Sequence, residues 1–259
     1  MLTSLSFWSI IGLRLEVLTM VFITGDTHGN PQKIIDFSHR MELSKKDTII
    51  ILGDVGANYF IDERDAAMKK HLNNLDVNIL CVHGNHEIRP SNLSSYKLVS
   101  WKDGYVWIEE EYPNLKFAKD GEIYSIEEYK YIVIGGAYSV DKEYRIARGF
   151  GWWEDEQPSA DIKKYVEKQL TNKKYDIILS HTCPYKYEPI EEFLPFIDQS
   201  SVDTTTEVWL DKIEENFSYK FWLCGHWHTD KQVDNIYFLF NNWLSSESLK
   251  KKGEYDGTE

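Results

Sequence analysis

The sequence predicts an α/β protein organised around parallel strands, and three observations carry that prediction. Short apolar runs end in sharp turns at five places: Met20–Thr24, Thr48–Leu52, Val77–His83, Ile177–Ser180 and Phe221–Cys224. Runs this short and continuously apolar read as strands buried on both faces. Stretches of helical character, Pro31–Met41 and Arg64–Leu75, separate the first three runs. The resulting βαβαβ rhythm places functional residues at the carboxyl ends of strands. Finally, no internal repeat and no linker rich in Pro, Gly or Ser divides the 259 residues, a length that supports one large core.

Taken in order, the elements begin at Met20. Residues 1–19 contain an apolar stretch, Phe7 to Leu13, but no basic start and no small-residue cleavage site, and Arg14 and Glu16 interrupt it. That pattern fits neither a signal peptide nor a membrane span. We expect Met20 to be the functional start, residues 1–19 a dispensable extension, 20–245 the folded domain and 246–259 a polar, frayed tail. Between Tyr105 and Gly136, polar residues alternate with Val, Ile, Tyr and Phe, which predicts antiparallel strands of a second sheet with a hairpin turn at Asp120-Gly121. Helices follow at Gln157–Leu170, with Pro158 near its start and Ser159 or Asp161 as cap, and at Thr204–Glu215. Gln232–Asn241 reads as a closing hairpin.

Composition narrows the function classes. With 29 basic and 42 acidic residues the formal charge is −13, which argues against broad attraction to nucleic acid or to an anionic membrane. A local positive site is still allowed, because bound divalent ions invert the field around them. A hydrophobic fraction of 42% rules against disorder. The cysteines Cys81, Cys183 and Cys224 are odd in number and lack C-x-x-C spacing, which suggests a reducing, cytoplasmic setting. Cys81 and Cys224, in apolar runs just before glycine turns, suggest core filling.

The strand ends all deliver metal-ligand residue types. They give Gly25-Asp26-Thr27-His28-Gly29, then Gly53-Asp54, Gly84-Asn85-His86-Glu87, His181 and Gly225-His226-Trp227-His228. Each is weak alone: a D-x-H triplet is commonplace, and Gly-Asp is usually a plain turn. Together they form a mixed set of aspartates, an asparagine and histidines at five successive strand ends. A carboxylate bridging two divalent ions screens their repulsion, and Asp54 in the central motif is the natural bridge. Neutral imidazoles and an amide carbonyl add donors without overcharging the site, a mixture suited to manganese foremost, or to iron, zinc or nickel. Two such ions clamp a phosphoryl oxygen and acidify a water for in-line attack, and a nearby histidine then serves the departing oxygen.

In this order the motifs resemble the calcineurin-like metallophosphoesterases, and the resemblance runs from about residue 20 to 243. It implies a four-layer α/β/β/α sandwich with a dimetal site at one edge. By the same resemblance, one ion is held by Asp26, His28, Asp54 and His228, and the other by Asp54, Asn85, His181 and His226. His86 is then the catalytic histidine, an assignment that rests on the family alone. His39 and His71 match no motif and read as solvated helix residues, and His83 as packing. Gly53-Asp54 continues as Val55-Gly56-Ala57-Asn58, without the Asp-Arg-Gly signature of protein serine/threonine phosphatases, so phosphoprotein activity does not transfer. The shape is closer to broad bacterial and phage-type members.

The segment from Gly135 to Arg148 is the expected seat of substrate selection. Lys142, Arg145 and Arg148 are candidates to meet substrate phosphate, and Tyr138, Trp152 or Trp153 to stack on a ring. The alternative is that the arginines pair with Asp141, Glu154 or Asp155 and that the tryptophans pack a lid. The expected activity is hydrolysis of a phosphomonoester or phosphodiester. A nuclease or cyclic-nucleotide phosphodiesterase of the same fold is the nearest alternative, and a non-catalytic scaffold the distant one.

Overall fold

The computed structural model describes residues 19–256. The expectation of a dispensable extension therefore lies, but for Thr19, outside the described residues. The chain opens β1 (Val21–Thr24), α1 (Gln32–Arg40), β2 (Thr48–Ile51), α2 (Glu63–Asn73) and β3 (Asn78–Cys81). It continues through β4 (Tyr96–Trp101), β5 (Gly104–Glu109), β6 (Leu115–Ala118), β7 (Ile123–Ile126) and β8 (Tyr129–Ile134). Then come α3 (Lys142–Arg148), α4 (Ala160–Asn172), β9 (Ile177–Ser180), α5 (Thr205–Asn216) and β10 (Phe221–Cys224). The last elements are β11 (Lys231–Val233), β12 (Ile236–Phe238), β13 (Trp243–Ser245) and α6 (Ser246–Asp256).

Two mixed sheets result, one of seven strands in the order β13-β1-β2-β3-β6-β5-β4 and one of six in the order β11-β12-β10-β9-β8-β7. Strand alternation sorts the core into layers. Val21, Ile23, Ile50 and Leu80 face Tyr131, Val133, Leu179 and Leu223 between the sheets. Their neighbours Phe22, Ile49, Ile51 and Ile79 pack outward against Ile34 and Phe37 of α1 and Met68 and Leu72 of α2. On the far side Ile132, Ile178 and Trp222 meet Val166 and Leu170 of α4 and Leu210 and Ile213 of α5. This is the four-layer α/β/β/α sandwich, with every strand side chain of β1, β2, β9 and β10 buried as the apolar runs require.

The middle of the chain departs from the expectation. β4, β5 and β6 extend the first sheet, and only β7 and β8 join the second. Period-two alternation reveals a strand but not the sheet it joins. Asp120-Gly121 accordingly marks the crossing between sheets, where Asp120 accepts from Gly135 N at 2.6 Å and from Arg89 Nη1 at 2.6 Å. The two-residue hairpins lie elsewhere. Lys102 and Asp103, both with positive φ, join β4 to β5, and Glu127-Glu128 joins β7 to β8.

The segment expected as a frayed tail forms α6, because Leu249 is fully buried in the inter-sheet core and Ser246 Oγ accepts from Val21 N at 3.3 Å. Ser159 is the cap of α4, accepting from Ile162 N, and the three cysteines are free and buried. His39 and His71 are exposed on α1 and α2, as read from the sequence.

Candidate metal centre

The turns after β1, β2, β3, β9 and β10 meet at one edge of the two sheets. Four of the residues they carry hold a left-handed backbone: His28 (φ 45°), Asp54 (45°), His226 (65°) and His228 (50°). Each such non-glycine conformation costs about 1–3 kcal/mol and persists only where its surroundings fix it. Here the Asp54 carbonyl accepts from His28 N at 2.8 Å and Thr27 N at 3.2 Å, locking the first two turns together. His226 N donates to Asp26 Oδ1 at 3.0 Å, and His86 N to Asp54 Oδ1 at 2.8 Å. The motif glycines make room for donors from neighbouring strands. A Cβ on Gly84 would lie 2.0 Å from Asp54 Oδ1, and one on Gly53 2.1 Å from His181 Nδ1.

The donor atoms converge in two groups. In the first, His28 Nε2 and His228 Nε2 stand 2.8 Å apart, and Asp26 Oδ2 lies 3.7 Å from the former and 3.4 Å from the latter. In the second, Asn85 Oδ1 is 2.8 Å from His181 Nε2 and 3.1 Å from His226 Nδ1. Asp54 Oδ1 lies 3.6 Å from His181 Nε2 and Oδ2 4.0 Å from His28 Nδ1, while Asp26 stands in both clusters, with His28 and His228 and with Asp54 and His181. The residues fit a pair of divalent cations. Asp26 Oδ2 is a buried acceptor with no hydrogen-bond partner, and such an orphan is rare without an ion or water to satisfy it. Burial alone would raise Asp26, but His228, His181, His28 and the His226 N–H outweigh it and hold the carboxyl well below the usual range. Burial, with His181 nearby, pushes the His226 imidazole well down, which keeps it in the neutral, ligating form.

A supporting layer orients these donors. His181 Nδ1 lies 2.7 Å from the Leu52 carbonyl, an acceptor only, so the proton sits on Nδ1 and the Nε2 lone pair faces the site. Asn85 Nδ2 donates to Ser139 Oγ at 2.9 Å, which sets the amide so that Oδ1 faces the histidines. Ser139 Oγ in turn donates to Glu156 Oε2 at 2.6 Å and accepts from Arg145 Nη1 at 3.1 Å.

A cavity of about 470 Å³ opens from the donors, and His86, Tyr138 and Trp227 line it. The structure thus brings together Asp26, His28, Asp54, Asn85, His86, His181, His226 and His228, and it adds Tyr138 at the cavity wall. Lys142, Arg145 and Arg148 do not line this cavity. Lys142 Nζ sits 4.4 Å from the centre of the Trp152 ring, and Arg148 is exposed beside Tyr144. Arg145 is only 2% exposed because α3 turns it inward, where Nη1 donates to Ser139 and Asp141 lies 3.9 Å away, while Nε and Nη2 are buried without a hydrogen-bond partner. The sequence reading missed the opposite wall, where Glu188, Phe193 and Glu207 stand. The one signal for it was length: the connection from His181 to α5 exceeds the size of ordinary structureless loops, which usually marks function.

The family model described as calcineurin-like phosphoesterase matches residues 19–230. No curated protein matches the sequence. Among solved structures the chain is similar to TT1561 of Thermus thermophilus, at 12% identity over 88% of this chain and 98% of that one, TM-score 0.49. It is also similar to the phosphopantetheinyl hydrolase of Mycobacterium tuberculosis, at 13% identity over 86% and 89%, TM-score 0.46.

Proposed function

The chain belongs to the calcineurin-like phosphoesterases, and from that premise we propose that it hydrolyses a phosphomonoester or phosphodiester with two divalent ions, manganese foremost. The observation that carries this reading is a pair of donor clusters, Asp26 with His28 and His228 and Asp26 with Asp54 and His181, beside a cavity that His28, Asp54, Asn85, His226 and His228 line. Asp26, His28, Asp54 and His228 would hold one ion; Asp54, Asn85, His181 and His226 would hold the other. Bound ions supply the charge that polarises a phosphoryl oxygen and acidifies the attacking water.

The protein's own groups do the rest. The Ser139–Glu156 pair keeps the Asn85 amide oriented, and Leu52 keeps the proton of His181 on Nδ1. His86, anchored through its backbone N–H to Asp54 and lining the cavity, delivers a proton to the departing ester oxygen. Among the described residues no Lys or Arg lines the cavity, which disfavours a polyanionic nucleic-acid strand as substrate.

The test is turnover of p-nitrophenyl phosphate and bis-p-nitrophenyl phosphate with Mn, Fe, Ni, Zn or Mg added. Hydrolysis should appear with a transition metal and vanish on chelation. His86→Gln should lose most of the rate while keeping its metal. Absence of turnover with every metal would overturn the reading, and an undiminished His86→Gln rate would remove that residue's role.

A further inference from the structure

The cavity that begins at the metal donors ends against a wall of unusual charge. Asp141, Glu188, Glu192, Asp203 and Glu207 line it, with no Lys or Arg among the described lining residues. Most of these carboxylates are at least partly exposed, and an acidic cluster at a surface indicates nothing by itself. Glu207 differs. It is 4% exposed, it lines the cavity, and its Oε2 is buried without a hydrogen-bond partner. Leaving a buried carboxylate oxygen unsatisfied is costly unless a partner arrives.

The Thr182 hydroxyl and Glu207's own backbone N–H stabilise this carboxylate in part, and Lys163 does not complete it. Lys163 on α4 attracts Glu207, yet its Nζ donates to the Thr205 carbonyl at 3.2 Å and it does not line the cavity. Glu188 faces the same space, and its repulsion with Glu207 and Asp211 adds to burial in pushing its pKa up to about 7. In the same cavity wall the rings of Phe193 and Trp227 stack at 5.7 Å with planes 20° apart. Aromatic faces beside buried carboxylates bind organic cations, through the ring quadrupole and direct ion pairing.

We infer that the departing alcohol of the substrate carries an alkylammonium group, which pairs with Glu207 and Glu188 while its carbon chain lies on Phe193 and Trp227. The inference rests on the phosphoesterase reading for the position of the ester, and on the cavity wall alone for the cation. It sets the substrate class: phosphate esters of amino alcohols.

The test compares esters that differ only in the charge. Phosphocholine is paired with 3,3-dimethylbutyl phosphate, and phosphoethanolamine with propyl phosphate, on the manganese-loaded protein. At least one cationic ester should exceed its neutral partner tenfold or more in kcat/KM. Glu207→Gln should bring that ratio within threefold; the ratio is internal to each preparation, so a partly folded variant still reports it. Should Glu207→Gln fail to fold, Glu188→Gln, at a half-buried site, should lower the ratio at least threefold. In parallel, calorimetry compares choline with 3,3-dimethylbutanol, and ethanolamine with propanol. A tenfold preference for a cation, lost in Glu207→Gln, with no ester turned over, would leave the cation site standing and overturn the phosphoesterase reading. Turnover without preference in either pair, or a ratio that survives both substitutions, would overturn the inference.

Discussion

Around the cavity, the donors on one side each stand within four residues of a strand end, while the opposite wall comes from residues 188–207, a connection built of short turns and the start of α5. The first region is buried and held by interlocking backbone bonds, with left-handed residues fixed in place at His28, Asp54, His226 and His228. The second is largely open, with Ile190 at 73% and Phe196 at 78% exposure, and only Pro189, Thr206 and Glu207 buried. Stored backbone strain is tolerable in the first region because the sheets over-determine it. The wall has no such frame, and it carries Glu188 and Glu207, to which the choice of substrate is assigned by inference. Reaction chemistry and substrate choice are therefore assigned to parts of the chain with different mechanical support.

This contrast can be broken at the metal side first. Asp54→Asn removes the carboxylate proposed to bridge the two ions and should lower kcat/KM roughly a thousandfold, about 4 kcal/mol of barrier, for every ester alike. Metal content measured on the purified variant should fall as well. Retained metal and near-normal turnover would mean that Asp54 does not join the two groups.

The next effect belongs to the wall and concerns stability. Burial foremost, opposed by its own backbone N–H, the Thr182 hydroxyl and Lys163 and aided by repulsion from Asp203, pushes Glu207 up to about 7 from an ordinary 4.5. A carboxyl raised on folding favours the folded state fully below its unfolded value, and that contribution is lost as pH climbs through the folded one. Wild-type stability should thus decline between pH 4.5 and 7 relative to Glu207→Gln, by up to on the order of 3 kcal/mol. Denaturant titrations of both proteins across that window measure it, and parallel pH curves would contradict it.

Smaller effects sharpen the boundary between the regions. Ser139→Ala frees the Asn85 amide and leaves Glu156 without its hydroxyl partner, and it should weaken metal binding about 10–100-fold. An isothermal titration with manganese reads this directly, and an unchanged affinity would deny Ser139 its orienting role. Arg148→Ala should change kcat/KM by less than about twofold for any ester, as surface substitutions usually do, because the side chain is exposed on α3 and away from the cavity. A tenfold loss would return that arginine to the substrate.

Much of the metal side was legible because each donor is tied to a local signature. Asp26, Asp54, Asn85, His181 and His226 follow apolar runs that cannot be anything but buried strands, and a turn after a strand fixes where its residues point. The charged residues of α3 were legible as residues but not as places. A seven-residue helix turns Arg145 inward to Ser139 and Arg148 outward to solvent, and the composition of that stretch does not distinguish the two. Similarly, the alternation from β5 to β8 marked strands without saying that the chain changes sheets at Asp120.

The sequence by itself determined the layered α/β architecture and the candidate donors, because hydrophobic period and strand-end turns act over a few residues. Only the tertiary structure decided how the donors group, that α6 closes the core through Leu249, and which side chains face the ester. Those outcomes depend on contacts between residues far apart in the chain, such as His28 with His228 and Asn85 with Ser139. No local pattern encodes such pairs; they exist only once both sheets have packed and brought their ends to one edge.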